Sequence, residues 1–215
     1  MEIISIKPFG NFANTYIIKD ESGAAAIVDP GCVTDELKSE IEKCGKVEYI
    51  LLTHGHYDHI WSAKEIKELT GAKLAVHKND MPFLADESLS HGCKYFPGEQ
   101  DVPQPDIVLE GGEVLKLGNS EIKVMSTPGH TKGSVVYIVG DTMCAGDTLF
   151  YLTVGRTDLE GGSMEDMINT LEKLKNLEGD FRVLPGHGRE TTLEHERQNN
   201  RYMSKLDLLK EQYLG

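Results

Sequence analysis

At 215 residues, with 39% hydrophobic and 27% charged residues, the chain has the length for one substantial core and the composition of a soluble globular protein. Its 35 acidic residues against 22 lysines and arginines give a net charge of −13, which disfavours nonspecific nucleic-acid binding, since that gains affinity by neutralising phosphates. No apolar run approaches the roughly 20 residues of a membrane helix. The amino terminus lacks the basic start and apolar stretch of a signal peptide, and Cys32, Cys44, Cys93 and Cys144 form no CxxC pair. A reducing, cytoplasmic setting is therefore expected, with no membrane partner, disulfide frame or thiolate zinc site.

In chain order, residues 2–6, 14–19 and 24–28 read as short strands separated by turn residues. The third runs into Asp29-Pro30-Gly31, placing a carboxylate directly after an apolar strand. Asp29 either caps the helix expected over 34–44 or supports a site at the strand ends. Thr34 and Asp35 suit the cap better, so support is the preferred reading. Val47 to Leu52 is a buried strand that stops at Thr53, and His54-Gly55-His56-Tyr57-Asp58-His59 follows at once. Three histidines and a carboxylate in six positions make a metal-binding cluster, because imidazole suits zinc and iron while a carboxylate adds harder oxygen ligation. Six residues cannot fill two coordination spheres, so further ligands are expected elsewhere. Residues 60–69 carry apolar positions at helical spacing and end at Gly71, which leaves the cluster on the turn between strand and helix.

Residues 73–77 read as the next parallel strand, ending in a structural His77. Residues 78–106, with four prolines, two glycines and no periodicity, are expected to form an irregular loop that roofs the site. Within it, His91 is expected to be solvated and Cys93 exposed. Strands follow at 107–109, 114–117 and 121–125, then Thr127-Pro128-Gly129-His130. A hairpin over 134–139 and 142–145 leads into Gly146-Asp147. An amphipathic helix spans 165–177, a short strand at 181–184 enters Pro185-Gly186-His187-Gly188, and a terminal helix over 192–213 docks through Leu206, Leu209 and Tyr213. Asp29, the 54–59 cluster, His130, Asp147 and His187 thus each follow a strand and are flanked by glycine or proline. Ligands of α/β sheets gather at such strand ends.

His54-x-His56-x-Asp58-His59, with His130, Asp147 and His187 in that order, resembles the metallo-β-lactamase superfamily along essentially the whole chain. The resemblance implies a single 1–215 domain folded as a four-layer αββα sandwich of the α+β or α/β class. By the same resemblance His54, His56 and His130 would hold one divalent ion, Asp58, His59 and His187 a second, and Asp147 would bridge them. Zinc is the first expectation, and iron or manganese suits the same ligands. Asp58 and Asp147 are the carboxylates implied to be catalytic. Six terminal ligands and one shared ligand leave each ion an open position, as catalysis requires. Gly146-Asp147-Thr148-Leu149-Phe150, Gly155-Arg156-Thr157-Asp158 and Pro185-Gly186-His187-Gly188 look like the short glyoxalase II-like hydrolases. That narrower resemblance implies cleavage of a small-molecule S-hydroxyacyl thioester such as S-lactoylglutathione, by a hydroxide held between the ions. The short stretch after His187 leaves no room for the helical domain that binds glutathione in full-length glyoxalase II, so the thiol half stays open.

Arg156 either fixes a substrate or active-site carboxylate or pairs with Asp158 or Asp166, and Tyr57 and Tyr151 either line the pocket or pack. His56 argues against the flavodiiron proteins, which carry glutamate there. The net charge argues against a nuclease. A mononuclear-iron persulfide dioxygenase, a lactone or phosphodiester hydrolase of the same superfamily, and a metal-binding scaffold without turnover are the competing readings. Oligomeric state is not legible.

Overall fold

In the computed structural model, which describes residues 1–94 and 100–215, short apolar runs with period-two alternation become strands. Residues 95–99, inside the expected 78–106 loop, and the side chain of Cys93 lie outside the described residues. The strands are β1 (Glu2–Ile6), β2 (Thr15–Lys19), β3 (Ala24–Val28), β4 (Lys46–Leu51), β5 (Lys73–His77), β6 (Ile107–Leu109), β7 (Val114–Leu117), β8 (Ser120–Ser126), β9 (Val135–Val139), β10 (Thr142–Gly146), β11 (Leu149–Phe150), β12 (Thr153–Val154), β13 (Arg182–Pro185) and β14 (Thr191–Thr192). The first six form one sheet in sequence order, antiparallel from β1 to β3 and parallel from β3 to β6. A second sheet runs β14-β13-β10-β9-β8-β7, with β10 and β13 parallel, while β11 and β12 form a separate ribbon.

Alternation along each strand divides the core into layers. Ile18, Ala26 and Leu51 of the first sheet meet Val124, Tyr137 and Leu184 of the second. Their neighbours Ile17, Ile27 and Ile50 point the other way, against helices α1 (Asp35–Glu42) and α3 (Ala63–Thr70). Val136, Met143 and Val183 on the outer face of the second sheet pack on α5 (Met164–Lys175) and the carboxyl-terminal helices. The result is the αββα sandwich of the metallo-β-lactamase fold. No helix among the described residues is long and apolar enough to cross a membrane.

Three expected elements differ. The helix read over residues 60–69 is α3, which starts only at Ala63, and a separate short helix, α2 (Tyr57–Ile60), precedes it; between the two, Ser62 N bonds the carbonyl of Pro30 at 3.0 Å. Asp58 and His59 therefore ride on a helical turn. The 78–106 segment contains helical pieces, a 3-10 turn at Lys78–Asp80, α4 (Met81–Ala85) and a 3-10 turn at Gly92–Lys94, each too short to leave a period in the sequence. The stretch 192–213 is three helices, α6 (Leu193–Asn199), α7 (Arg201–Ser204) and α8 (Leu206–Tyr213). Asn200 breaks the first from the second. Its backbone is extended, and its buried side chain bonds Thr153 O at 3.0 Å and Glu196 Oε2 at 2.8 Å while capping Tyr202 N at 2.9 Å.

Candidate metal centre

The two sheets end in loops that face each other, and buried hydroxyls fix where those loops start. Tyr137 Oη donates to Leu52 O at 2.7 Å beneath the His54 turn, and Tyr16 Oη donates to Pro185 O at 2.7 Å beneath the His187 turn. Asp29, with φ of +51°, turns back from the end of β3. Its Oδ1 accepts from Thr53 N at 2.7 Å, and its Oδ2 accepts from Thr53 Oγ1 at 2.6 Å and from His59 Nδ1 at 2.8 Å. Thr34, not Asp29, caps α1, accepting from Leu37 N at 3.1 Å.

Three overlapping sets of donor atoms converge, each within 4.8 Å: His54 with His56 and His130, His54 with His59 and Asp147, and Asp58 with His59 and His187. In the first set His54 Nε2 and His130 Nε2 lie 3.1 and 2.9 Å from His56 Nδ1. In the last, His187 Nε2 lies 2.9 Å from Asp58 Oδ2. Asp147 stands between them, with Oδ2 at 3.5 Å from His130 Nε2 and 3.8 Å from His187 Nε2, and Oδ1 at 3.3 Å from His59 Nε2. Every residue of the sequence-read ligand set is thus brought together.

The donor chemistry fits cations. His59 Nδ1 faces Asp29, His130 Nδ1 faces the carbonyl of Arg156 at 2.7 Å, and His54 Nδ1 faces Thr53 Oγ1 at 3.1 Å. An oxygen acceptor on one ring nitrogen fixes the ring and turns the other nitrogen toward the centre, the arrangement of metal-binding imidazoles. Buried His59 Nε2 and Asp147 Oδ1, 3.3 Å apart, face each other but make no well-aligned hydrogen bond among the described residues. Buried polar atoms are rarely left so, and a bound ion is one of the few things that explains them.

Electrostatics separates the two ends. Burial and the surrounding imidazoles push His54 well below its ordinary pKa, and burial with His130 brings His56 down to about 3, so these rings stay neutral. Burial also opposes a charge on His59, but the carboxylates of Asp29, Asp147 and Asp58 outweigh it and push its pKa well up. Burial would raise Asp147, yet His59, His130 and His187 hold it below the usual carboxylate range. His54 and His56 offer neutral nitrogens, and Asp58 and Asp147, both held below the usual carboxylate range, offer ionised oxygens.

A cavity of about 260 Å³ opens on this centre, lined by His56, Asp58, His130 and Asp147 together with Tyr57, Ser90, His91, Lys94, Arg156 and Leu159. A larger groove of about 890 Å³ beside α5 has no histidine or cysteine in its lining. Tyr57 is buried at the site cavity. Arg156 lies on the wall and also makes the alternative ion pair, its Nε and Nη2 each 2.7 Å from Asp158 carboxylate oxygens. Tyr151 is not in the lining. Arg189 sits 3.4 Å over its ring and His195 stacks on it at 5.3 Å, so its face is used in packing. His91, expected in solvent, instead lines the cavity with its Nε2 buried. Lys94 and Ser90 carry no sequence signal, because nothing in an aperiodic segment says which side chains point inward.

Two facing sheets whose loop ends gather seven His and Asp donors define an αββα sandwich protein with a candidate metal centre. The family described as "Metallo-beta-lactamase superfamily" matches residues 8–187, and the chain belongs to it, a family of metallohydrolases that bind divalent metals. The chain is 36% identical over 202 residues to "Probable metallo-hydrolase YqgX" of Bacillus subtilis, covering 91% of this chain and 94% of that protein. It is 32% identical over 209 residues to "Hydroxyacylglutathione hydrolase GloC" of Haemophilus influenzae, covering 95% and 98%. Among solved structures, the BLEG-1 B3 metallo-beta-lactamase superposes with a TM-score of 0.85 at 29% identity, covering 94% of this chain and 100% of that one.

Proposed function

We propose that this protein is a dinuclear metal-dependent thioesterase acting on a small hydroxyacyl thioester such as S-lactoylglutathione. The observation that carries the reading is the placement of Asp147 between the His54, His56 and His130 group and the Asp58, His59 and His187 group. His54, His56 and His130 would hold one ion, Asp58, His59 and His187 the other, and Asp147 both. Zinc is the ion proposed first, with iron and manganese as alternatives. Divalent ions held there supply Lewis acidity, which brings the pKa of water toward neutrality and polarises a carbonyl.

The chain's own groups do the rest. Asp29 fixes the His59 ring and the Thr53 backbone, so that His59 Nε2 keeps its direction. Lys94 and Arg156 place cationic groups on the wall of the cavity, where they attract and orient a carboxylate-bearing substrate. Tyr57 and Leu159 contribute apolar wall against the acyl portion. A thiolate leaves without protonation, so the lining needs no general acid for this substrate class. The hydroxyacylglutathione hydrolase among the relatives supports the same choice.

The test is anaerobic thiol release from S-lactoylglutathione by protein loaded with zinc, iron or manganese. Release with at least one metal is the expected result. Absence of release with all three, joined by oxygen uptake on a persulfide, would replace the thioesterase reading with a dioxygenase one. Asp29→Asn tests the supporting contacts separately. An amide cannot accept from three donors at both of its ends, so affinity for one ion should fall about 10- to 100-fold in a chelator titration. Unchanged affinity would remove Asp29 from the site.

A further inference from the structure

Asp80 lies in the segment that sequence reading leaves irregular, and it is 0% exposed. It stands at the amino end of α4, yet its side chain makes no capping bond there. Its carboxylate turns instead to two other loops. Oδ2 accepts from Gly55 N at 2.9 Å and from Thr131 Oγ1 at 2.7 Å, and Oδ1 accepts from Gly133 N at 2.7 Å. Gly55 separates His54 from His56, and Thr131 follows His130 directly. The first loop leaves β4 of one sheet, and the second connects β8 to β9 of the other. One buried carboxylate therefore ties together the two loops that carry His54, His56 and His130.

The surroundings are shaped for this carboxylate. A Cβ at position 133 would lie 2.3 Å from Asp80 Oδ1, so glycine is what lets that backbone N–H approach. Thr131 is held in turn by Ser134, whose Oγ accepts from Thr131 N at 3.0 Å and lies 2.8 Å from Thr131 Oγ1. Val135 N reaches Thr53 O at 2.9 Å, adding a backbone bond between the same loops. His56 Nδ1 stands 3.1 Å from His54 Nε2 and 2.9 Å from His130 Nε2, so the spacing of the two loops decides whether the three side chains can meet around one ion. Something must hold the loops at that separation before an ion arrives.

We propose that Asp80 is a positioning residue for the three-histidine group, setting the spacing between the His54–His56 turn and the His130 turn and thereby the affinity for one of the two ions. The inference rests on reading the site as a metal centre and not on the identity of the substrate. Supporting contacts of this kind alter metal affinity without touching the metal. Asp80 touches neither Asp58, His59 nor His187 in any described contact, so the other ion should be indifferent to it.

Asp80→Asn preserves the volume but turns an NH₂ toward one of the three donors. Zinc-loaded wild type and variant are titrated with a chelator of known affinity, and occupancy of each group is read from anomalous diffraction. Affinity at the three-histidine group should fall about 10- to 100-fold while the Asp58, His59 and His187 group stays filled. Thr131→Val, which deletes a single contact to Oδ2, should weaken the same group in the same direction and carries the test if Asp80→Asn does not fold. Equal loss from both groups would mark Asp80 as a general structural residue, and no loss from either would end the proposal. Wild type that takes up no zinc would overturn the metal reading itself. Wild type that binds two ions but releases no thiol would overturn only the proposed substrate.

Discussion

Asp147→Ala is expected to lower bound metal from about two ions to about one per chain and to reduce thioester turnover at least about 100-fold, the order seen when one preorganised charge-stabilising group is removed. Asp147 is the side chain that meets both donor groups, with one carboxylate oxygen toward His130 and His187 and the other toward His59. Alanine removes that negative charge from among three imidazoles. His59 then keeps Asp29 and Asp58 as counter-charges, and the imidazoles face one another without a shared oxygen between them. The carboxylate is ionised throughout the neutral range, since the three imidazoles hold its pKa below the usual value against the effect of burial. Elemental analysis of the purified variant and a thiol-release assay check the two halves of this expectation. Two ions per chain with unimpaired turnover would show that Asp147 bridges nothing.

Much of this architecture is legible in the sequence because the relevant signals are short-range. Apolar runs such as Ala24 to Val28 and Val47 to Leu52 alternate between the helix-facing and sheet-facing cores, and glycine or proline marks where each ends. A donor placed just after such a run has one place to go, the mouth between the sheets. The signal fails where long-range packing decides. Whether residues 57–69 form one helix or two depends on a bond from Ser62 to Pro30, and the break at Asn200 depends on Glu196 and Thr153. Asp80 is invisible for the same reason. Its partners lie 25, 51 and 53 positions away, so only the folded chain brings a single carboxylate to both ligand loops. For Tyr151 the sequence leaves lining and packing both open, and the side chain stacks with Arg189 and His195, whose approach no local pattern encodes.

Gly186→Ala should disable the centre through space alone. Position 186 has no left-handed backbone, so alanine is conformationally acceptable there, but its Cβ would lie 2.2 Å from Asp147 Oδ1 and 2.6 Å from His59 Cε1. Neither neighbour can step aside cheaply. His59 is 0% exposed and held by Asp29, while the backbone of Gly186 is pinned on both sides, its N–H to Gly146 O at 2.8 Å and its carbonyl to Asn14 N at 2.7 Å. Overpacking of this kind costs about 1–3 kcal/mol, and in a domain of this size each kcal/mol shifts Tm by about 2–4 °C. The larger effect is on the site, where a displacement of about 1 Å is enough to cost about 100-fold in rate. Gly188→Ala is the matched control on the other side of His187. There φ is +80° and a Cβ would meet nothing within 4 Å, so alanine adds backbone strain of about 1–2 kcal/mol without touching a ligand. The pair should therefore separate, with Gly186→Ala losing metal and turnover at a modest Tm cost and Gly188→Ala losing Tm while retaining both ions. The reverse pattern would mean that the backbone course through His187, and not the room left for Asp147 and His59, governs the centre.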